Sequence, residues 1–242
     1  MKILAFDTSN QALSVALLED QNLLSMQTTN IKRNHSVQLM PVIDHVLKSA
    51  SVDIQSIGRI VVAEGPGSYT GLRIAVTTAK TLAETIDAEL VGISSLEMLV
   101  LNAPVDGIVV PFFDARQKNV FAGVYEKSGE KLKTIQADQH IAMKDLLHFL
   151  NGLGKSVYFI STDFDKFQLE IEDTLKVIAE HSNRLNNLPN AFALGLLGFQ
   201  KQELENVFSF IPNYLRKTEA ERTWETSHPQ ELKKESYVKR MD

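Results

Sequence analysis

Cysteine is absent from the sequence, and so is any long run of apolar residues. Without a thiol the chain cannot form a disulfide, a thiolate nucleophile or a cysteine-ligated metal site. No stretch approaches the roughly 18 uninterrupted apolar residues of a membrane-spanning helix. The apolar run of residues 3–6 ends at an acid, Asp7, and is too short for the core of a signal peptide. These absences predict a soluble cytoplasmic protein with no membrane contact.

Positive charge is scarce relative to negative charge. The chain has 25 Lys and Arg residues against 30 Asp and Glu residues, which gives a formal net charge of −5 over 242 residues. A surplus of acid argues against bulk electrostatic capture of nucleic acid, which needs a strongly basic face. The hydrophobic share of 44% and the charged share of 23% are typical of a folded protein and exclude a disordered or collagen-like chain.

The hydrophobic periodicity places strands and helices in the same order twice. In the first half, three short strands precede a helix over residues 36–50, whose apolar positions recur with helical spacing. A strand, a helix over residues 68–85, another strand and a short helix follow. The second half starts again with three strands, followed by four further elements over residues 143–150 (helix), 157–161 (strand), 175–178 (weak strand) and 190–204 (helix).

Two halves of the order βββαβα predict an α/β protein with a duplicated ribonuclease-H-like fold, the ASKHA fold of the actin-like ATPases. The predicted division is an N-terminal lobe over residues 1–103, a C-terminal lobe over 104–216 and a polar tail over 217–242. The tail has mixed charges and no periodicity. It holds the single tryptophan, Trp224, which either packs against the body of the protein or anchors a partner.

The most distinctive motif is the run Glu-Gly-Pro-Gly-Ser-Tyr-Thr-Gly-Leu-Arg over residues 64–73. A strand passes here into a glycine-rich turn and a helix start, where free backbone N–H groups and the helix dipole can hold an anion. The run is not a Walker A loop, because no Gly-Lys-Ser/Thr follows, and Ser68 lacks the flanking glycines of a nucleophile elbow. The alternative is structural: Ser68 caps the helix and the glycines make the turn.

Asp7 and Asp114 end the first strand of each half. In actin-like ATPases, acids at this place meet metal and phosphate, and glycines follow them so that the backbone can wrap the phosphate. No glycine follows closely here: the next residues are Thr8-Ser9-Asn10 and Ala115-Arg116-Gln117. We therefore predict degenerate phosphate loops at both acids and no cofactor. None of the six histidines forms the His-x-x-x-His spacing of a helical metal site, so neither a metal site nor a catalytic residue is predicted.

A series of motifs, in order along the chain, resembles the TsaB (YeaZ) family of tRNA threonylcarbamoyladenosine biosynthesis proteins. The most specific is the glycine-rich run extended to Ile74. The full series covers residues 3–9, 35–36 with 39 and 41, 65–74, 79–83, 92–96, 114–116 and 212–216. The related TsaD family shares the fold and part of the glycine turn, but it is longer and carries a His-x-x-x-His metal site that this chain lacks.

The resemblance implies a non-catalytic scaffold subunit. TsaB-like proteins pair with TsaD and, with the ATPase TsaE, support transfer of a threonylcarbamoyl group to the adenosine beside the anticodon. The tRNAs are those that read codons starting with A. By this resemblance tRNA is an indirect partner, and the chain can form a homodimer when TsaD is missing.

The resemblance also implies where TsaD binds. In the family, the first two helices of the N-terminal lobe form a helical bundle with TsaD, which corresponds here to residues 36–50 and 68–85. Our hypothesis is that solvent-facing positions on these helices make the contact: Met40, Ile74, Thr78 and Leu82. Four small residues share one face of the second helix, which suits a close approach inside the protein or across an interface: Gly71, Ala75, Thr78 and Ala79.

Two other classes of function are alternatives. An actin-like kinase of small molecules would need glycines after Asp7 or Asp114, and a metallopeptidase acting alone would need paired metal ligands; the sequence has neither. A direct tRNA binder would rely on local basic patches against an acidic overall charge. The candidate patches are Lys32 and Arg33, or Lys233, Lys234, Lys239 and Arg240 in the tail.

Overall fold

The computed structural model describes residues 1–31, 34–182 and 185–216. The predicted tail over residues 217–242, with Trp224 and its basic patch, lies outside the described residues, as do Lys32 and Arg33. Within the described ranges, no helix is long and apolar enough to cross a membrane.

The first half of the chain has the predicted elements in the predicted order. Its strands are β1 (Lys2–Asp7), β2 (Leu13–Glu19), β3 (Asn22–Thr29), β4 (Ile57–Gly65) and β5 (Glu89–Ser94). Its helices are α1 (His35–Ser49), α2 (Tyr69–Ile86) and α3 (Ser95–Val100), with a short 3₁₀ turn at Ile54–Ser56. Pro41 lies in the second turn of α1, so the helix continues through it.

The second half repeats this order with one helix more than predicted. Its strands are β6 (Gly107–Asp114), β7 (Asn119–Ser128), β8 (Lys131–Ala142), β9 (Val157–Ile160) and β10 (Ala179–His181). Its helices are α4 (Met143–Leu153), α5 (Phe164–Thr174) and α6 (Ala191–Gln200). The weak strand predicted near residues 175–178 exists, but its bounds are wrong: it is β10, a short exposed strand that begins directly after those residues. Helix α5 lies in a segment without a clear hydrophobic periodicity.

The two sheets have the same topology. The first has the strand order β3-β2-β1-β4-β5, and the second has the equivalent order β8-β7-β6-β9-β10. In each sheet the first three strands pair antiparallel, while the fourth and fifth run parallel to the first. With α5 included, both halves read βββαβαβα. This confirms the duplicated ribonuclease-H-like fold.

Helices and sheets alternate in five layers. Helices α1 and α2 cover the outer face of the first sheet, and α4 and α5 cover the outer face of the second. Helices α3 and α6 lie between the sheets, in a core that draws buried residues from both halves. Helix α6 comes late in the chain, yet it packs against β1 and β2 of the first sheet.

Candidate functional site

The glycine-rich turn lies directly on the end of β1. The Ser68 N–H donates to the carbonyl oxygen of Ser9 (2.7 Å), and the Thr8 hydroxyl donates to the carbonyl oxygen of Gly71 (2.8 Å). A Cβ added to Gly67 would collide with the Ser9 carbonyl oxygen, and one added to Gly71 would collide with that of Thr8. The two glycines are therefore needed because two segments of backbone touch here.

The structural interpretation of this run is confirmed. Ser68 is the N-cap of α2, and its hydroxyl oxygen accepts the Gly71 N–H (3.4 Å). On the other side of the turn, the Asn213 N–H donates to the carbonyl oxygen of Glu64 (2.7 Å). The chain's own backbone thus holds the turn from both sides, at the place where a phosphate loop would face a ligand.

Asp7 ends β1 as predicted and is fully buried. Its Oδ1 accepts the Ser9 N–H (2.7 Å), while Oδ2 has no hydrogen-bond partner among the described residues. Burial raises the pKa of Asp7 from 3.8 to about 6, although the Ser9 N–H and hydroxyl and the nearby His35 favour the charged form. Because no part of Asp7 is exposed, a ligand cannot reach it unless the turn moves away.

Asp114 ends β6 and has a different environment. Its side chain is 23% exposed, and its Oδ2 lies 2.9 Å from the Lys166 ammonium, which also pairs with Asp163 (2.7 Å). Partial burial acts to raise the pKa of Asp114, but Lys166 and the Arg116 N–H (2.7 Å) outweigh burial and hold the pKa below its usual value. This acid is therefore charged and already paired within the chain.

The four residues of the predicted docking face do not all point outward. Met40 on α1 is 45% exposed, and Ile74 and Thr78 on α2 are partly exposed. Leu82 is only 9% exposed and belongs to the core beneath α2, so its assignment as a solvent-facing contact is wrong. It lies seven residues after Ala75, two helical turns along the same buried stripe. The other three residues stay a prediction.

The small residues of α2 serve a contact inside the protein. Gly71, Ala75 and Ala79 are buried on the side of α2 that packs against β4. Small side chains let the helix lie close to the sheet. The outer side of α2 exposes other residues instead, namely Arg73, Thr77, Thr81 and Glu84.

The chain after α6 runs along this outer side of α2. The Lys80 ammonium donates to the carbonyl oxygens of Phe208 (3.1 Å) and Phe210 (2.9 Å), which fastens the segment to the helix. A shallow hollow of about 280 Å³ lies between them, lined by Thr77, Lys80, Thr81, Glu84, Val207 and Phe208. The Phe208 side chain is 80% exposed beside it. Val207 and Phe208 thus add apolar surface beside α2, and the predicted docking face does not include them.

A half-buried polar cluster lies between the sheets, and no motif in the sequence indicates it. The Asp138 carboxylate of β8 accepts hydrogen bonds from the Ser94 hydroxyl at the start of α3 and from the Tyr125 hydroxyl of β7 (2.5 Å). Burial raises the pKa of Asp138, and it also raises the pKa of Glu64 and Glu97 close by. Asp138 therefore links the two halves, but its partner Ser94 is 44 residues away in sequence, so no local motif marks it.

The two acids at the ends of β1 and β6 are both engaged within the chain. Asp7 is closed off and Asp114 is paired. Across the described ranges, no three His, Asp or Glu side chains lie together so that they could hold a metal ion. The most exposed apolar side chains near α1 and α2 are instead Val37, Met40, Phe208 and Ile211.

Comparison with known proteins gives matches over nearly the whole chain. The family model "TsaD: tRNA N6-adenosine threonylcarbamoyltransferase" matches residues 22–224. The tRNA threonylcarbamoyladenosine biosynthesis protein TsaB of Bacillus subtilis (strain 168) is 39% identical over 225 residues, which covers 93% of this chain and 98% of the relative.

Solved structures agree with this likeness. A crystal structure of an uncharacterized Pseudomonas aeruginosa protein with similarity to peptidase YeaZ has a TM-score of 0.75 at 26% identity, covering 89% of this chain and 99% of that one. The ROK hexokinase of Thermus thermophilus shares only the fold, with a TM-score of 0.51 at 9% identity over 82% of this chain and 99% of that one. The chain therefore belongs to the TsaB (YeaZ) family, within the larger group that the TsaD model describes.

Proposed function

We propose that the chain is a non-catalytic scaffold subunit in tRNA threonylcarbamoyladenosine biosynthesis, acting in the cytoplasm. It pairs with TsaD, and with TsaE the pair supports transfer of the threonylcarbamoyl group to the adenosine beside the anticodon. TsaD carries the chemistry, and tRNA binds to the complex. The name of the B. subtilis relative and the match to the TsaD model support a role in this modification.

The proposal that the chain is not catalytic rests on one observation, the packing of the glycine turn on β1. In an actin-like ATPase the backbone at this place must open toward a phosphate. Here Ser68 and Gly71 make their hydrogen bonds to Ser9 and Thr8, and Asp7 lies beneath them without solvent access. The residues that would have to grip a nucleotide are thus engaged in holding the lobe together.

The docking part of the proposal concerns the outer side of α1 and α2. Val37 (68% exposed) and Met40 place apolar surface on α1, while Ile74, Thr77 and Thr78 place apolar and small side chains on α2. Exposed apolar side chains grouped on one surface are typical of protein–protein contacts. Two helices of TsaD would complete a bundle with this pair.

The proposal is tested by mixing the chain with TsaD from the same source. We expect one complex in gel filtration, and tRNA modification that needs both proteins and TsaE. The variant Thr77→Glu should weaken the complex at least about tenfold, because a carboxylate in a helix contact loses water without gaining a partner. Affinity is measured by titration calorimetry.

The matched control is Thr134→Glu, the same change at an exposed threonine of β8. It should leave the affinity for TsaD within about twofold. A complex that tolerates Thr77→Glu as well as it tolerates the control would move the docking face elsewhere. ATP hydrolysis by the chain alone, lost in Asp7→Ala, would replace the scaffold by the kinase alternative.

A further inference from the structure

A group of arginine, lysine and tyrosine side chains lies at the amino-terminal end of α2; all of them are exposed except Arg216, which is half-buried. The group contains none of the docking residues named above on α1 and α2. We call it the arginine–tyrosine patch. Its members are Tyr69, Arg73, Arg116, Lys118, Tyr214 and Arg216. They come from three separate segments of a chain whose formal net charge is −5.

The aromatic part of the patch is a pair of exposed tyrosines. The rings of Tyr69 and Tyr214 lie 4.8 Å apart between centroids, and their side chains are 44% and 39% exposed. The Arg73 guanidinium lies 5.6 Å from the centroid of the Tyr69 ring, and its Nη1 donates to the Tyr69 hydroxyl (3.2 Å). Large flat side chains that remain exposed beside a guanidinium offer a stacking surface to a base.

The cationic part is the hairpin between β6 and β7. Arg116, Gln117 and Lys118 have φ values of 68°, 52° and 60°, three consecutive residues in the left-handed region that residues other than glycine seldom adopt. Two backbone hydrogen bonds hold this shape. The Asn119 N–H donates to the carbonyl oxygen of Arg116 (2.9 Å), and the Met143 N–H donates to the carbonyl oxygen of Lys118 (3.0 Å). The side chains of Arg116 and Lys118 are exposed, and within the described part of the chain neither forms an ion pair.

Arg216 joins the two parts. Its Nη1 donates to the carbonyl oxygen of Ala115 at the base of the hairpin (2.7 Å), and Tyr214 is only two residues earlier. The Cα atoms of Tyr214 and Arg216 are at most about 7 Å apart, and the Arg216 side chain spans the remaining distance to the hairpin. The tyrosine pair and the hairpin therefore lie at the same end of the molecule. Two acids close to the hairpin, Asp114 and Asp163, already share the Lys166 ammonium. Two more acids are exposed nearby in the part of the chain that the structure describes, Asp145 in the first turn of α4 and Asp165 in the first turn of α5.

We propose that the arginine–tyrosine patch binds single-stranded RNA within the complex. This inference rests on the proposed function, which supplies the RNA. Arginine and lysine side chains bind phosphates, and an exposed tyrosine stacks on an unpaired base. The patch is small and the rest of the chain is acidic, so it adds to the RNA affinity of the complex and does not give the chain strong binding alone.

The test measures binding of a fluorescein-labelled tRNA transcript by anisotropy, to the complex with TsaD and to the chain alone, at about 50 and 200 mM salt. The double variant Arg116→Gln, Lys118→Gln should bind tRNA about tenfold more weakly in the complex. The slope of log affinity against log salt should fall by about 2, since two phosphate contacts are lost. The control removes the same charge from exposed lysines of β8, Lys131→Gln and Lys133→Gln, and should stay within about twofold.

A second variant tests the stacking. Tyr69→Leu keeps an apolar side chain at the start of α2, and it should weaken tRNA binding about fivefold without changing the salt slope. Equal binding by the hairpin variant and its control would overturn the proposal. So would a hairpin variant that loses TsaD binding while the chain alone binds tRNA as the wild-type chain does, because the patch would then contact TsaD and not RNA.

Binding to TsaD and binding to tRNA are measured separately, so the scaffold proposal and the RNA site can fail independently. If the wild-type chain does not bind TsaD, the scaffold proposal fails, and the same variants are compared on the chain alone at low salt. A difference there between the hairpin variant and its control keeps the RNA site. No binding of tRNA by either wild-type sample below about 100 μM overturns it.

Discussion

The carboxyl ends of β1 and β6 hold equivalent places in the two halves, yet they are built in opposite ways. At the end of β1, Asp7 is buried beneath a glycine turn and keeps one oxygen without a partner. At the end of β6, Asp114 reaches solvent and is paired with Lys166. The turns that follow β4 and β9 explain the difference.

In the first half, the turn after β4 touches β1 through backbone atoms, which requires Gly67 and Gly71. In the second half, the turn after β9 touches β6 through a side chain, since the Asp163 carboxylate accepts the Asp114 N–H (3.0 Å). Duplication has thus kept the topology while the two ends took on different roles. One end closes the lobe, and the other presents a cationic hairpin to solvent.

The backbone contact at β1 can be broken directly. Gly71→Ala would place a Cβ against the Thr8 carbonyl oxygen, so helix and strand would have to separate. We expect a loss of about 3 kcal/mol or more in the free energy of unfolding, measured by urea denaturation. The control is Gly152→Ala in α4, where a Cβ meets nothing within 4 Å. It should be neutral or stabilise by up to about 1 kcal/mol. Equal stability of both variants would show that the turn does not rest on β1.

The second-largest expected effect on stability comes from the buried carboxylate of Asp7. Its folded pKa of about 6 exceeds the ordinary 3.8, so the fold binds a proton more tightly than the unfolded chain does. Asp7 therefore lowers stability as pH rises from about 4 to 6, with the full cost of roughly 3 kcal/mol present above that range. Asp7→Asn should gain about 1–3 kcal/mol near pH 7, and the gain should shrink as pH falls to about 4. A gain that does not change with pH would place the ionised carboxylate in contact with water.

Asp114→Asn should give the smallest effect and the opposite sign. The pKa of Asp114 is lowered in the fold, so its contribution to stability is present above pH 3.8 and is lost as pH falls through the folded pKa. Because the Lys166 side chain is 58% exposed, we expect a loss of only about 0.5 kcal/mol near pH 7. Denaturation at several pH values measures both acids in one series. A stabilising Asp114→Asn would show that Asp114, like Asp7, lowers the stability of the fold when it is charged.

Most of the fold could be predicted because its elements are long and periodic. The helices α1 and α2 lie within one residue of their predicted bounds. Helix α5 could not be predicted, because its buried residues are only Phe164, Phe167 and Ile171 in an otherwise charged segment. Strand β10 is three exposed residues long, so no alternation marks it.

The candidate site could be predicted only where local sequence carries the information. Acids at the ends of apolar strands are visible in sequence, and Asp7 and Asp114 lie where expected. The side of α2 that faces solvent depends on how the helix is rotated against the sheet. For this reason Leu82 is predicted to face solvent but is buried. The partners of Asp138 and the neighbours of Arg116 come from distant segments, so only the folded chain brings them together.

We propose that this chain supports the modification without performing chemistry. The most direct measurement is the rate of threonylcarbamoyl transfer to tRNA by TsaD and TsaE, with the wild-type chain or with Asp7→Asn. We predict rates within about twofold of each other, because Asp7 does not reach a ligand. An Asp7→Asn chain that is folded and still pairs with TsaD, yet abolishes the transfer, would show that Asp7 takes part in the chemistry.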